Sequence, residues 1–208
     1  MSSENVKAKF EFRSSWASDI GQKKNNEDAY LINEDLGLFI VADGLGGHEK
    51  GEVASWFTAR ELEKAVSSVL PPPDDDTDSE TWFEEFFSDS HSMVYEEALE
   101  TAILSINHRL YVDNEKEFRG VAETLANKKK MSTTLVSMLV FRSKAYLTSI
   151  GDSRIYRIAA NEIQRLTHDN SWVEEQMRAG KLSPHDEEFH KKKNIITRSV
   201  GFKPDVDV

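Results

Sequence analysis

The chain contains no cysteine, and this absence excludes disulfide bonds, thiolate metal sites and catalysis by a thiol nucleophile. No apolar run approaches the about 20 residues that are needed to span a bilayer. The polar segment 1–9 lacks the apolar core of a signal peptide and is expected to be a loose leader. Together these absences favour a cytoplasmic protein that does not act at a membrane.

The chain has few basic residues, since its 26 Lys and Arg are outnumbered by 37 Asp and Glu, and the net charge is −11. Nucleic acids and anionic membranes select basic surfaces, so neither is expected as a partner. An acidic surface suits a protein that concentrates divalent cations, and it serves solubility equally well. At 208 residues, of which 38% are hydrophobic, the chain is expected to form one globular domain.

Hydrophobic periodicity predicts an α+β domain over residues 10–208. The predicted strands are 10–14, 29–32, 36–41, 133–141, 145–150, 154–158 and 162–166, with a possible strand at 194–200. The predicted helices are 51–70, a stretch around 99–110, 171–180 and a short segment that starts at Ser183. The continuous apolar run 38–42 indicates a strand that is buried on both faces. Strands, two helices and then antiparallel strands argue for a layered rather than a doubly wound fold.

Residues 71–90 interrupt this order as an acidic surface insertion. The insertion begins with three prolines, which end the preceding helix. It also carries four aromatic residues, Trp82, Phe83, Phe86 and Phe87. We expect these aromatics to dock locally, and binding of a partner is the alternative.

Three carboxylates lie in the segment 25–55, around which the chain is organised. Glu27 and Asp28 precede the first strand of a predicted hairpin, and Asp43 follows the second. Strands of similar length joined by a tight turn place these ends side by side, because paired strands lie about 4.8 Å apart. Carboxylates this close repel one another unless a cation lies between them. Mg²⁺ or Mn²⁺ is the oxygen-seeking ion that fits best.

A glycine-rich turn, Gly44-Leu45-Gly46-Gly47, follows Asp43. Glycine lets the backbone turn tightly and approach a ligand closely, and an ordinary turn with an Asp cap is the alternative. The turn is not a standard dinucleotide fingerprint, because Glu49 occupies the position of the third glycine. It is not a Walker loop either, because no Gly-Lys-Ser/Thr follows.

Three further polar positions have less specific interpretations. The tetrapeptide Gly151-Asp152-Ser153-Arg154 lies between two predicted strands and could be an ordinary turn. Asp169 is interpreted as the N-cap of the helix that follows it. His48 is interpreted as a helix-entry or surface residue rather than as a metal ligand.

Taken in order, the motifs of the chain resemble those of the metal-dependent protein phosphatases of the PPM, or type 2C, class in their bacterial form. The resemblance covers about residues 10–201. The segments that carry it are Ser18-Asp19-Ile20-Gly21, Asn26-Glu27-Asp28-Ala29, Val41-Ala42-Asp43-Gly44-Leu45-Gly46-Gly47-His48, Met131-Ser132-Thr133-Thr134-Leu135, Gly151-Asp152-Ser153-Arg154-Ile155-Tyr156 and Leu166-Thr167-His168-Asp169-Asn170-Ser171.

The resemblance implies a four-layer fold, in which an antiparallel β-sandwich is flanked by α-helices, and a binuclear metal site. Asp43 would bridge two Mg²⁺ or Mn²⁺ ions, the Gly44 carbonyl would bind one of them, and Glu27 would act directly or through a water. Asp28 would orient this cluster without binding the metals. Asp152 would contribute to a third, weaker metal site.

The resemblance also implies hydrolysis of phosphoserine or phosphothreonine in a protein substrate, in opposition to a serine/threonine kinase. A metal-activated water would attack phosphorus in line, without a protein nucleophile. Lys23 stands near the position of a phosphate-binding arginine of the family, and lysine binds phosphate without the planar fork of arginine. Residues 171–193 match a flap beside the active site that influences substrate choice.

The family's domain continues past the position of Gly201 with strands that carry a Ser-Asp-Gly and a Gly-Asp-Asn segment, whose aspartates complete the binuclear site. The sequence stops at Val208 without them. We therefore expect the C-terminal part of the domain to be missing and the metal site to be incomplete. A serine/threonine phosphatase is the leading hypothesis, and a non-catalytic phosphatase-like module that regulates or binds a phosphoprotein is the alternative.

Overall fold

The computed structural model describes residues 12–21, 25–45, 50–69, 92–127, 129–141 and 144–208. Its strands are β1 (Asp28–Asn33), β2 (Leu38–Leu45), β3 (Ser132–Thr133), β4 (Leu135–Phe141), β5 (Lys144–Ile150), β6 (Tyr156–Ala159) and β7 (Glu162–Arg165). Its helices are α1 (Lys50–Val69), α2 (Ser92–Glu117), α3 (Glu123–Ala126), α4 (Trp172–Arg178) and α5 (Glu187–Lys192). The predicted α+β class is confirmed. The predicted leader and the acidic insertion 71–90 lie outside the described residues.

An antiparallel sheet with the strand order β1-β2-β4-β5 forms the centre of the described structure, and β3 extends β2 at one end. Within the described part of the chain, strands β6 and β7 pair only with each other, as a separate hairpin. The four strands predicted over residues 133–166 are therefore split between two sheets. The split follows Gly151, whose φ of 100° turns the chain out of the first sheet.

Helices α1 and α2 cover one face of the central sheet and contribute most of the core. Their buried residues recur at helical spacing and are Ala54, Ala59, Leu62 and Val66 in α1, and Tyr95, Leu99, Ile103, Ile106 and Leu110 in α2. They pack with the buried strand residues Leu38, Ile40, Leu135, Leu139 and Ile150. This confirms the predicted helix around 99–110, whose buried residues form an apolar stripe. Among the described helices, none is long and apolar enough to cross a membrane.

Strand β2 is buried on one face only, so the prediction of burial on both faces is wrong. Leu38, Ile40 and Ala42 are at most 2% exposed and face the helices, whereas Val41 is 50% exposed. Successive side chains of a strand point to opposite faces. The apolar run therefore combines a core face with a half-covered face, on which Phe12 packs edge-on against Phe39.

Two other predicted strands are wrong within the described residues. Residues 12–14 are not extended in a sheet, and the segment 194–200 forms only isolated bridges, Ser171 with Ile196 and Thr133 with Val200. The second bridge places the end of this segment beside β3.

Two buried asparagines of α2 hold the C-terminal segment in place. Asn107 accepts a hydrogen bond from the Gly201 amide at 2.7 Å and donates to the carbonyls of Lys203 and Pro204. Asn114 donates to the carbonyls of Met131 and Gly201 and accepts from the Met131 amide. The two positions are two helical turns apart, so both amides point the same way. This clamp fixes the backbone that leads into β3 and the end of the sheet where the acidic residues lie.

Candidate functional site

The predicted pairing of Asp28 with Asp43 is confirmed. Strands β1 and β2 are antiparallel, and their register sets Asp28 directly opposite Asp43. Directly opposed residues share a face of the sheet and have Cβ atoms about 5 Å apart. Two carboxylates at this separation favour the binding of a cation between or beside them. Both belong to the face of the sheet opposite α1 and α2.

The backbone of Glu27 is fixed next to Gly44. The Gly44 amide donates to the Glu27 carbonyl at 3.1 Å, and the Ser55 hydroxyl of α1 donates to the same carbonyl at 2.6 Å. A Cβ atom on Gly44 would collide with the Gly51 carbonyl, so the start of α1 can approach β2 only because both positions are glycine. The hairpin and α1 together therefore hold Glu27 beside the end of β2.

The backbone of Asp43 is held on its other side by the segment between β3 and β4. The Asp43 carbonyl accepts from the Thr134 amide at 2.9 Å and from the Thr133 hydroxyl at 3.0 Å. The Asp43 amide donates to the Thr134 hydroxyl at 2.9 Å. Both threonines are fully buried. The segment 131–135 is one of the motifs that carry the family resemblance, but the sequence alone assigned no role to its threonines.

The turn that carries Asp152 follows β5 at the same end of the sheet. Leu135 at the start of β4 pairs with Ile150 at the end of β5, so the chain leaves the sheet beside Thr134. Asn170 fixes the turn through its amide, which donates to the Gly151 carbonyl at 2.7 Å, and its side-chain oxygen, which accepts from the Gly151 amide at 3.0 Å. These two hydrogen bonds fix the turn beside the end of β5.

The pKa of Asp152 is raised above its ordinary value. Partial burial is the largest cause, and the negative charges of Asp43 and Asp169 raise it further, against an opposing contribution of Arg154. Asp152 and Asp43 therefore lie close enough to repel each other. A divalent cation between them would remove this repulsion.

Asp169 is an ion-pair partner, and its interpretation as a helix N-cap is wrong. The N-cap of α4 is Ser171, whose hydroxyl accepts from the Glu174 amide at 3.4 Å. Asp169 is buried and binds Arg154 through two hydrogen bonds of 2.8 and 2.5 Å, with Arg165 3.7 Å away. This pairing raises the pKa of Arg154 above its ordinary range, with a smaller contribution from Tyr156.

The described residues at this end of the sheet include several oxygen donors. Carboxylates and the Gly44 carbonyl are oxygen donors of the kind that Mg²⁺ and Mn²⁺ prefer, and the repulsion between Asp43 and Asp152 fits a cation in chemical terms. Within the ranges that the structure describes, however, no three acidic or histidine side chains are grouped closely enough to hold an ion. Lys23 and His48 lie outside the described residues.

The fold is an α+β domain whose central sheet carries acidic residues at one end, and sequence comparison gives its family. The model of the family described as Protein phosphatase 2C matches residues 17–191. The chain therefore belongs to the protein phosphatase 2C family, as the resemblance of its motifs implied.

Named relatives agree with this assignment. The chain is 31% identical over 193 residues to the protein phosphatase PhpP of Streptococcus pneumoniae, and the match covers 91% of this chain and 68% of the relative. It is 28% identical over 201 residues to the serine/threonine phosphatase stp of Listeria monocytogenes, with 95% of this chain and 69% of the relative covered.

Solved structures of bacterial phosphatases share the fold. The serine/threonine phosphatase Stp1 of Staphylococcus aureus matches with a TM-score of 0.65 at 30% identity, over 91% of this chain and 66% of that one. The S. agalactiae serine/threonine phosphatase matches with a TM-score of 0.67 at 27% identity, over 89% and 67%. The catalytic domain of the phosphatase PstP, solved in complex with two manganese ions, matches with a TM-score of 0.62 at 25% identity, over 89% and 65%.

Proposed function

We propose that the chain is a metal-dependent protein serine/threonine phosphatase with Asp43 at its centre. The observation that carries the proposal is the placement of Asp28, Asp43 and Asp152 at one end of the sheet, in a member of a family whose named relatives are serine/threonine phosphatases. We place its action in the cytoplasm, where an opposing kinase has access to ATP. Its substrates are proteins phosphorylated on serine or threonine.

The residues that would hold the metal are Asp43, the Gly44 carbonyl, Glu27 and Asp152, with Mg²⁺ or Mn²⁺ as the ion. A bound ion of this kind supplies a water of lowered pKa and neutralises charge on the phosphate oxygens. Asp28 lies opposite Asp43 and orients its carboxylate. Lys23 would attract the substrate phosphate as a point charge.

The chain divides into functional parts under this proposal. The domain is assigned to residues 10–208, with 1–9 as a leader and the acidic segment 71–90 as an insertion. Residues 171–193 form the flap beside the site, which contains α4 and α5. Asn170 joins the flap to the Asp152 turn, because its carbonyl accepts from the Thr197 amide while its own amide donates to Gly151.

Phosphate release from a phosphothreonine peptide tests the proposal. We expect release with Mn²⁺, no release with EDTA, and a loss of at least about 100-fold in Asp43→Asn, because the variant removes a ligand carboxylate. Asp35→Asn is the matched control, since Asp35 is exposed in the turn between β1 and β2 and the charge change is the same. Equal activity of the two variants would overturn the assignment of Asp43.

A second candidate is a non-catalytic phosphatase-like module that regulates or binds a phosphoprotein through the same cleft. The observation that favours it is that, over the ranges for which positions are given, no group of three acidic or histidine side chains surrounds an ion site. The same peptide separates the two functions. Saturable binding of the phosphopeptide, without phosphate release at any Mn²⁺ concentration, would support the binding module.

A further inference from the structure

The hydroxyl of Thr134 connects the two turns that carry Asp43 and Asp152. It accepts a hydrogen bond from the Asp43 amide at 2.9 Å and shares a second hydrogen bond, of 2.8 Å, with the Ser153 hydroxyl. Thr134 directly precedes β4, which lies between β2 and β5 in the sheet. The buried Thr134 side chain therefore contacts the backbone of Asp43 and also Ser153, the residue that follows Asp152.

The Asp152 turn also packs directly on the Thr134 side chain. A Cβ atom on Gly151 would lie 2.6 Å from Cγ2 and 2.8 Å from Cβ of Thr134, which is too close for any other residue. The φ of 100° at Gly151 likewise requires glycine. The Cβ and methyl group of Thr134 thus pack against the turn, and the hydroxyl, which bonds to Ser153, sets the position of the turn relative to Asp43.

We propose that Thr134 is a positioning residue that fixes the separation of Asp43 and Asp152 and thereby the affinity of the site for a divalent cation. This inference rests on the proposed function, because it assigns both carboxylates to one metal site. Thr134 does not need to touch the ion. It acts through the Asp43 amide and through Ser153, much as outer residues that orient metal ligands change affinity about 10- to 100-fold.

The chemistry of the hydroxyl separates positioning from packing. Thr134→Val keeps the shape but leaves the partly buried Asp43 amide without its acceptor. Thr134→Ser keeps the acceptor and loses only the methyl group. Ser153→Ala removes one arm of the bridge and leaves the bond to Asp43 in place. The matched control is Thr148→Val, because Thr148 shares a 2.6 Å hydroxyl bond with Ser137 in the middle of the same sheet.

Two measurements on the full chain test the proposal. Amide hydrogen exchange reports whether the Asp43 amide loses protection, and calorimetric titration with Mn²⁺ alone reports affinity without relying on activity. We expect Thr134→Val to speed exchange at Asp43 and to weaken Mn²⁺ binding about tenfold or more. We expect the Mn²⁺ affinity of Thr134→Ser to stay within about threefold of that of the wild type. The affinity of Ser153→Ala should lie between those of Thr134→Val and Thr134→Ser, and Thr148→Val should bind Mn²⁺ as the wild type does.

The outcomes also separate this inference from the proposed function. Wild-type Mn²⁺ affinity in Thr134→Val, or in Ser153→Ala if the valine variant does not fold, overturns the positioning role. An equal loss of affinity in Thr148→Val overturns it too, because the effect would then be general to the sheet. A wild type that binds Mn²⁺ but releases no phosphate refutes the phosphatase and leaves the positioning role standing. A wild type that binds no Mn²⁺ refutes both.

Discussion

Arg154 and Asp169 are 15 positions apart in sequence and form a charged pair with two hydrogen bonds, of 2.8 and 2.5 Å, beside the Asp152 turn. The pair closes the segment between the end of β5 and the start of α4 into a loop that contains the β6–β7 hairpin. It therefore fixes the base of this hairpin and the turn together.

Removing Arg154 is expected to destabilise the chain. In Arg154→Met the buried Asp169 carboxylate loses both hydrogen bonds, while Arg165 stays 3.7 Å away, so we expect a loss of about 1–3 kcal/mol in the free energy of unfolding. Urea denaturation measures this loss. Arg157→Met is the control, because Arg157 is exposed on β6. Equal midpoints for the two variants would show that the pair does not stabilise the fold.

The amide clamp of α2 gives a second prediction. Asn114→Ala removes three hydrogen bonds to the backbone of Met131 and Gly201 at a fully buried position. We expect it to cost about 2–4 kcal/mol, because the backbone groups lose their partners without gaining water. Asn194→Ala, at an exposed position, should change stability by less than about 0.5 kcal/mol. A similar urea midpoint for both would contradict the clamp.

Some of these contacts were predictable from the sequence and others were not. The opposition of Asp28 and Asp43 was predictable, because strand length and a short turn determine which ends of a hairpin meet. The pairing of Asp169 with Arg154 was not predictable, because it depends on the path of the β6–β7 hairpin, which leaves the first sheet. The spacing of Asn107 and Asn114, in line with the apolar stripe of α2, was a usable signal for buried amides. The exposure of Val41 could not be read from an uninterrupted apolar run.

The ion pairs of Glu61 are expected to make the stability of the folded state depend on pH. Hydrogen bonds from Lys64, at 2.7 Å, and from Arg109 lower the pKa of Glu61 below its ordinary value of 4.5. A lowered pKa stabilises the folded state above pH 4.5, and this stabilisation is lost as the pH falls through the folded-state pKa. We therefore expect the difference in Tm between wild type and Arg109→Met to shrink as the pH is lowered from 7 towards about 3.

A part of that difference should persist at low pH, because Arg109 also stacks 4.6 Å above the centre of the Phe57 ring. Arg119→Met, at an exposed position, is the control for the loss of a positive charge. A difference that grows on acidification would mean that Glu61 is not stabilised by its cationic neighbours.

Replacing Asp152 by asparagine is expected to change the Tm in opposite directions without and with metal. In EDTA, Asp152→Asn removes repulsion with Asp43 and the cost of partly burying a charge, so we expect a rise in Tm, of less than about 4 °C because solvent screens the repulsion. With Mn²⁺ the order should reverse, because binding stabilises the wild type more. Asp205→Asn, exposed near the C-terminal residue of the sequence, should show neither effect. The same order in both buffers would exclude Asp152 from the metal site.

The central claim is that Asp43 holds a divalent cation at the end of the sheet. Calorimetric titration of Mn²⁺ into the metal-free wild type and into Asp43→Asn tests it most directly, with equal Tm values in EDTA as evidence that both are folded. We predict saturable binding by the wild type and an affinity at least about tenfold lower in the variant. Indistinguishable isotherms for the two folded proteins would contradict the account.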